Sequence, residues 1–385
     1  MARFPRNVVL LAATSFLADV SGEMLQAVLP FVLLAQGATG LGVGITGAAD
    51  AVGHVLKPLF GIVSDRLRKR KPLIVGGYVL PAFARMGIAA APIWWLTTLL
   101  RGADRVGKGM RTSPRDALLA ESGERAQRGR TFGLHRAADT GGAVVGVALA
   151  LAGIALWGWS ERAIVLAGAF IALGTLAPLA FVRDVEATAR GGGKSVFEPA
   201  SPRYRAYLLA AAVLAAGQVS YLFFILRASD HVGGPVVAVA LYLLFNVVYA
   251  ALAYPLGLMS DRLGKPFLIA AGALLFSAAC ALMILSPSLG SALAGFAVLG
   301  LAFAATEGVQ RAYAADLAGS DARSTRLGWY HATVGMATVV GGVATGLLWD
   351  RAGEAAAFAW GAVVPLLALA LLAGMGFLRR PAAAL

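Results

Sequence analysis

Ionisable side chains recur inside runs of sequence that are otherwise strongly apolar. Asp19 and Glu23 lie four residues apart in the first such run, so a helix places them on one face. Asp50, His54 and Lys57 follow in the second run at i, i+4 and i+7, again on one helical face. The fourth run is the densest, with Arg101, Asp104, Arg105, Lys108, Arg111, Arg115 and Asp116. Of these, Arg101, Arg105, Lys108 and Arg115 form one stripe that Asp104 interrupts. His135, Arg136 and Asp139 occupy the fifth run. The second half is sparser: Gln218 and Tyr221, Asn246, Glu307 and Arg311 at i and i+4, and His331.

A charge inside a bilayer is costly, so each of these residues marks a pathway for an ion or solute, or braces the structure. Two chemistries fit. One is a fixed ion-pair network across the first half, with Asp104 paired to Arg105 or Arg101. The other is exchange chemistry, in which Asp19, Glu23 or Asp104 takes up and releases a proton or cation as its partners change. Gly107-Lys108-Gly109 lacks the full spacing of a phosphate loop and a preceding strand. His54, His135 and His331 do not form a His-x-x-x-His pattern, so no metal-ligand set is spelled out. No nucleophile–base spacing stands out, and the reading is of a protein that is not an enzyme and needs no cofactor.

The elements that position these groups follow from composition. The chain has 385 residues, of which 59% are hydrophobic and only 14% charged, where a soluble domain carries about a quarter. This is an all-α integral membrane protein, whose 47 glycines suit closely packed helices. The formal net charge of +13 sits mostly in short loops between apolar spans. That distribution points to membrane topology and away from nucleic acid. With about 20 apolar residues needed per crossing, the chain divides into about twelve spans. They are 8–34, 41–64, 71–91, 94–119, 130–156 and 163–182, then 204–226, 236–260, 267–285, 289–315, 327–349 and 355–378. Residues 183–203 between the halves are polar and contain Gly191-Gly192-Gly193, which reads as a flexible linker. Arginines and lysines in that linker and near both ends place linker and termini in the cytoplasm, and the expected home is the inner (plasma) membrane. The first run, carrying Asp19 and Glu23, reads as a retained helix and not as a cleaved signal.

One loop occurs twice. Gly61-Ile62-Val63-Ser64-Asp65-Arg66-Leu67, followed by Arg68-Lys69-Arg70-Lys71-Pro72, is echoed by Gly257-Leu258-Met259-Ser260-Asp261-Arg262-Leu263-Gly264-Lys265-Pro266. Further along, Ala117–Glu121 matches Ala312–Asp316, and Gly133–Ala137 matches Gly328–Ala332, at one common offset. The repeated loop resembles the cytoplasmic signature of the major facilitator superfamily of transporters. The runs from Ala18 to Met24 and from Asp104 to Leu118 resemble a prokaryotic permease subfamily of undefined substrate.

That resemblance implies two pseudo-symmetric six-helix bundles, 1–182 and 204–385, with a binding site between them near the membrane midplane. It implies that Glu23, Arg101, Asp104, Arg105, Gln218, Glu307 and Arg311 face a central cavity. It also implies that Asp65 latches the halves on the cytoplasmic side, with Arg111 or Arg115 as partner. Gly61, Arg66, Arg70, Gly257, Asp261 and Arg262 complete the gating loops. Arg68 stands where the family has glycine, so the first turn is expected to be less tight than the second, which keeps Gly264. The substrate and coupling set is Asp19, Glu23, Arg101, Asp104, Arg105, Lys108, Asp139, Gln218, Glu307 and Arg311. The expected activity is proton-coupled export of a small solute by a monomer, through rocker-switch alternating access. The rivals are gradient-driven import of an anionic metabolite or metal chelate, and a non-transporting membrane sensor. Partners are then a small solute or ion, a coupling proton or cation, and the lipid bilayer.

Overall fold

A computed structural model describes residues 4–67, 69–122, 128–184, 201–285, 288–318 and 323–378; the side chains of residues 58, 65, 120, 128–130 and 323–325 lie outside that description. The described residues contain helices and no strand. Contacts divide the chain into two compact units, Met1–Gly191 and Gly192–Leu385.

The first unit holds α1 (Arg6–Ala35), α2 (Gly40–Ala48), α3 (Asp50–Leu67), α4 (Lys71–Ala90), α5 (Trp94–Ser122), α6 (Arg128–Ala155), α7 (Glu161–Gly174) and α8 (Leu176–Ala180). The second holds α9 (Pro202–Gly217), α10 (Tyr221–Ala228), α11 (Gly234–Leu263), α12 (Lys265–Leu285), α13 (Leu289–Leu317), α14 (Arg323–Ala352) and α15 (Glu354–Gly374), with a π-helical turn at Ser229–Gly233. At 1.5 Å per residue, a helix of 30 residues such as α1 is about 45 Å long, more than the roughly 30 Å hydrocarbon layer.

These helices occupy the twelve expected spans, with three interruptions. The second span breaks at Ala49, between α2 and α3, and the sixth at Thr175, between α7 and α8. The seventh breaks where Gln218 turns extended at φ −75° and ψ 101°. There the indole Nε1–H of Trp360 donates to the Ala216 carbonyl at 2.8 Å, replacing a helical bond lost at the break. A periodicity reading sees unbroken apolar runs at all three places, because nothing apolar is lost where the helix pauses.

Among the described residues, nine stretches are long and apolar enough to cross a membrane by composition, one of them being 202–263 taken whole. Span 2 and α5 are missing from that set because of their charges, the feature that makes them interesting.

Local signals set the helix ends. Ser160, Ser201 and Ser220 each accept a backbone N–H of the helix they precede, and Ser288 and Ser291 form a reciprocal capping box at α13. Gly264 closes α11 at φ +96°, a left-handed conformation that glycine adopts without strain. The glycine of the second loop copy is therefore required by geometry. Its counterpart, Arg68, is outside the described residues.

Within the first unit α1 packs on α6 and α7, α5 on α3 and α4, and α4 on α7. Within the second, α9 packs on α14 and α15, α13 on α11 and α12, and α12 on α15. The two lists are the same list, helix for helix. Each unit has its own apolar core, around Leu11, Ile74, Tyr78 and Leu118 in the first and around Tyr207, Ile269, Ala305 and Leu372 in the second.

The close approaches rest on glycine. A Cβ on Gly53 would lie 2.7 Å from the Arg105 carbonyl oxygen, and one on Gly109 would lie 2.8 Å from the Gly53 carbonyl oxygen. Backbone against backbone at this crossing brings α3 and α5 near enough for their charged side chains to meet.

Candidate functional site

Asp104 on α5 is the hub of the first unit. Its Oδ1 accepts from Nε of Arg85 on α4 at 2.8 Å. Its Oδ2 lies 3.2 Å from Nε of Arg105 and 3.5 Å from NH1 of Arg101. Asp50, at the start of α3, joins from the other side, with Oδ1 2.8 Å from Arg105 Nε and 3.3 Å from Arg101 NH2. Arg105 Nε stands between the two carboxylates without a directed hydrogen bond to either, so the attraction there is that of an ion pair.

Neutral acceptors serve one further edge each of Arg85 and Arg101. Ser21 Oγ accepts from Arg85 NH1 at 2.5 Å, and Gln26 Oε1 accepts from Arg101 NH2. Removing such charges from water costs several kcal/mol per ion, which pairing and these extra bonds offset. Arg101 and Asp104 are each 1% exposed. Three guanidinium groups and two carboxylates thus form a braced cluster that is buried except at Asp50, whose side chain is 33% exposed.

A second cluster lies along α1, α5 and α6. Ser15 Oγ is 2.9 Å from Nε2 of His135, 3.3 Å from the Tyr78 hydroxyl, and accepts from Arg115 NH1 at 2.9 Å. His135 Nδ1 is 3.4 Å from Asp139 Oδ2. One turn along α1 from Ser15, Asp19 is half-buried and lies within electrostatic reach of Asp139, Lys108, Arg111 and Arg115. Among the described residues Asp19 makes no hydrogen bond or ion pair. Lys108 is exposed on α5, and its ammonium group likewise makes none among the described residues. Glu23 is half-buried, with its Cβ against Gly146 of α6.

The basic residues of the gating loops are dispersed. Arg111 is buried, with its guanidinium carbon 4.1 Å from the centre of the Tyr78 ring. Arg115 pairs with Asp116 at 2.9 Å. Arg70 is buried and binds Glu121 through Nε at 2.9 Å and NH2 at 2.6 Å. Arg66 and Arg262 are exposed, and so is Asp261, 3.9 Å from Lys265. Gly61 faces Ser113 of α5 at ordinary contact distance, whereas a Cβ on Gly257 would meet nothing. The Asp65 side chain, the centre of the expected latch, is outside the described residues.

In the second unit, Glu307 is exposed, binds Arg311 at 3.2 Å and accepts from the Tyr249 hydroxyl at 2.7 Å. Gln218 sits at the break between α9 and α10. Tyr242, Phe245 and Tyr249 stack along α11, with Tyr221 of α10 on the first two.

The repeat extends to the pairings. Arg70 binds Glu121 in the first unit, and Lys265 binds Asp316 at 2.6 Å in the second, where Glu121 and Asp316 are matching positions.

Of the expected set, the structure joins Arg101, Asp104 and Arg105 in one cluster and Asp19 and Asp139 in another. Arg85 and Gln26 were missed in the sequence. Arg85 lies in the middle of an apolar span and meets the same criterion that flagged Arg101, so the signal was present. Gln26 is neutral and gave none.

A model of the Major Facilitator Superfamily matches residues 11–243 and 208–384. An uncharacterised MFS-type transporter of Methanocaldococcus jannaschii is 32% identical over 380 residues, covering 95% of this chain and 94% of its own. The multidrug resistance protein MdtH of Salmonella paratyphi B is 30% identical over 213 residues, covering 52% of this chain and 50% of its own. Among solved structures, a POT family transporter in complex with 5-aminolevulinic acid gives a TM-score of 0.82 at 11% identity, over 98% of this chain and 97% of that one. The nucleoside transporter NupG gives 0.78 at 14%, over 96% and 99%. At such identities these structures speak for the fold alone. With family matches over both halves and a full-length relative, the chain belongs to the Major Facilitator Superfamily and is a membrane transporter.

Proposed function

We propose that this transporter exports a small solute in exchange for protons, with Asp19 as the proton-carrying group. The observation that carries this reading is the contrast between two membrane carboxylates. Asp104 is committed to Arg85, Arg101 and Arg105. Asp19 has no fixed cationic partner among the described residues, yet lies within electrostatic reach of Asp139, Lys108, Arg111 and Arg115. It can gain or lose a proton without breaking an ion pair. The reading takes residues 1–182 and 204–385 as two halves rocking about a central site, joined by a cytoplasmic linker at 183–203. The protein acts as a monomer in the inner membrane with both termini in the cytoplasm. Export is supported by the likeness to MdtH over half of the chain.

A thermal-stability screen of the purified protein at two pH values tests it. The panel holds divalent metals, organic anions and lipophilic cations, since a ligand of the folded state raises the unfolding midpoint. A hit then serves in weakly buffered solution, where its addition releases protons from the parent and none from Asp19→Asn. Equal release from both removes Asp19 from coupling.

A second reading, import of an anionic solute, is favoured by Lys108, an exposed ammonium group on a membrane helix with no ion pair among the described residues. Proton uptake on binding of an organic anion, lost in Lys108→Gln, would support it over export.

A further inference from the structure

We infer that His135, paired with Asp139, is the internal acceptor for the proton that leaves Asp19. The inference deepens the proposed coupling and rests on Asp19 as the proton carrier.

His135 is 4% exposed and held at both ring nitrogens. Nδ1 faces Asp139 at 3.4 Å, and Nε2 faces Ser15 Oγ at 2.9 Å. Both protonation states of the ring find partners. When the ring is neutral with its hydrogen on Nε2, it donates to Ser15 Oγ, and its bare Nδ1 accepts from Asp139 while that residue carries the proton. When the ring is charged, Nε2–H donates to Ser15 Oγ, whose own hydrogen turns to the Tyr78 oxygen 3.3 Å away. A buried group satisfied in both states can change charge without orphaning a polar atom.

The charged and titratable groups about His135 and Asp139 are Tyr78 from α4 and Arg115 from α5, both through Ser15, and Arg136 from α6 itself, while Asp139, Lys108, Arg111 and Arg115 act on Asp19. Asp139 links the two ends of the transfer, lying within electrostatic reach of Asp19 and at ion-pair distance from His135. The step balances. The Asp19 carboxylic acid loses a proton and becomes a carboxylate. Asp139 takes that proton and hands it to the bare Nδ1 of His135, returning to a carboxylate, and the neutral imidazole, whose own hydrogen is on Nε2, becomes an imidazolium.

The repeat provides an internal comparison. The spacing that takes Glu121 to Asp316 also takes Arg115 to Gln310, His135 to Tyr330 and Asp139 to Val334. In the second unit the Tyr330 hydroxyl donates to Gln310 Oε1 at 3.4 Å, and the Tyr207 hydroxyl donates to the Gln310 carbonyl at 3.0 Å. Tyr207, on the helix equivalent to α1, thus takes the place of Ser15. The fold builds the same junction from tyrosines, glutamine and valine. Packing alone therefore does not require an imidazole and a carboxylate there, and only the first unit has them.

The test is a titration of the full-length protein in lipid nanodiscs, carrying 13C-labelled histidine and aspartate and followed by NMR. Signals of His135, Asp19 and Asp139 are assigned by loss in His135→Gln, Asp19→Asn and Asp139→Asn. The inference predicts that the His135 ring passes between its neutral and charged forms during the titration. Asp139→Asn and Asp19→Asn should each displace that change of form. An imidazole that stays in one form throughout, or one indifferent to both substitutions, overturns the inference. The Asp19 signal separates the two layers. If Asp19 titrates while His135 does not, the relay fails and the carrier stands; if Asp19 keeps one state, the carrier reading itself fails. Should Asp139→Asn fold poorly, Ser15→Ala, which removes only the Nε2 partner, supplies the second displacement.

Discussion

Arg85 of α4 and Asp104 of α5 form an ion pair at 2.8 Å in which the two side chains are 5% and 1% exposed. The pair ties the third and fourth spans together at a depth where neither partner can turn to water. It also keeps Asp104 from acting as a freely exchanging carboxylate.

Arg85→Gln should therefore lower stability. Removing one partner of a buried pair costs about 3–5 kcal/mol when the other is left alone. Arg101 and Arg105 still face Asp104, so about 2–3 kcal/mol is expected here by the same reasoning. Thermal unfolding in detergent reads the loss. The double variant Arg85→Gln/Asp104→Asn should recover part of it, and a double variant worse than the sum of both singles would show that the pair is not the unit.

Gly53 is the contact that lets the Asp50–Arg105 pair form. Gly53→Val should force α3 and α5 apart and cost about 1–3 kcal/mol, the range for overpacking. The same variant should increase amide exchange around Asp50 and Arg105. Unchanged stability would mean that the crossing is looser than 2.7 Å implies.

Asp184 caps α4 from far along the chain, accepting the backbone N–H groups of Arg70 and Lys71 at 3.2 Å. Asp184→Ala should cost about 1 kcal/mol, as for other lost N-terminal caps. Faster hydrogen exchange confined to the first turn of α4 would confirm the site of the loss.

Asp65→Asn should impair transport more than folding, if the repeated loop acts as a latch. The measurement pairs solute flux with the thermal midpoint of the same preparation. Normal flux would reduce the loop to a topological signal.

The helical class, the twelve spans and the repeat were legible because apolar length, loop charge and repeated motifs are properties of the chain itself. Pairings were legible only in part. Asp104 with Arg101 or Arg105 could be read from neighbours on one helix, but Arg85 comes from another helix, and the sequence contains no register between α4 and α5. The break at Gln218 was hidden for a related reason: its stabilising contact comes from Trp360, on a distant helix. Asp19 and Glu23 looked equivalent at four residues apart. Only their surroundings on α5 and α6 distinguish them.

Solute flux in proteoliposomes under an imposed pH gradient tests the central claim most directly, using a solute selected from the stability screen. The account predicts that the parent protein concentrates the solute in response to the gradient, while Asp19→Asn only equilibrates it. An Asp19→Asn protein that still concentrates the solute as the parent does would contradict the account.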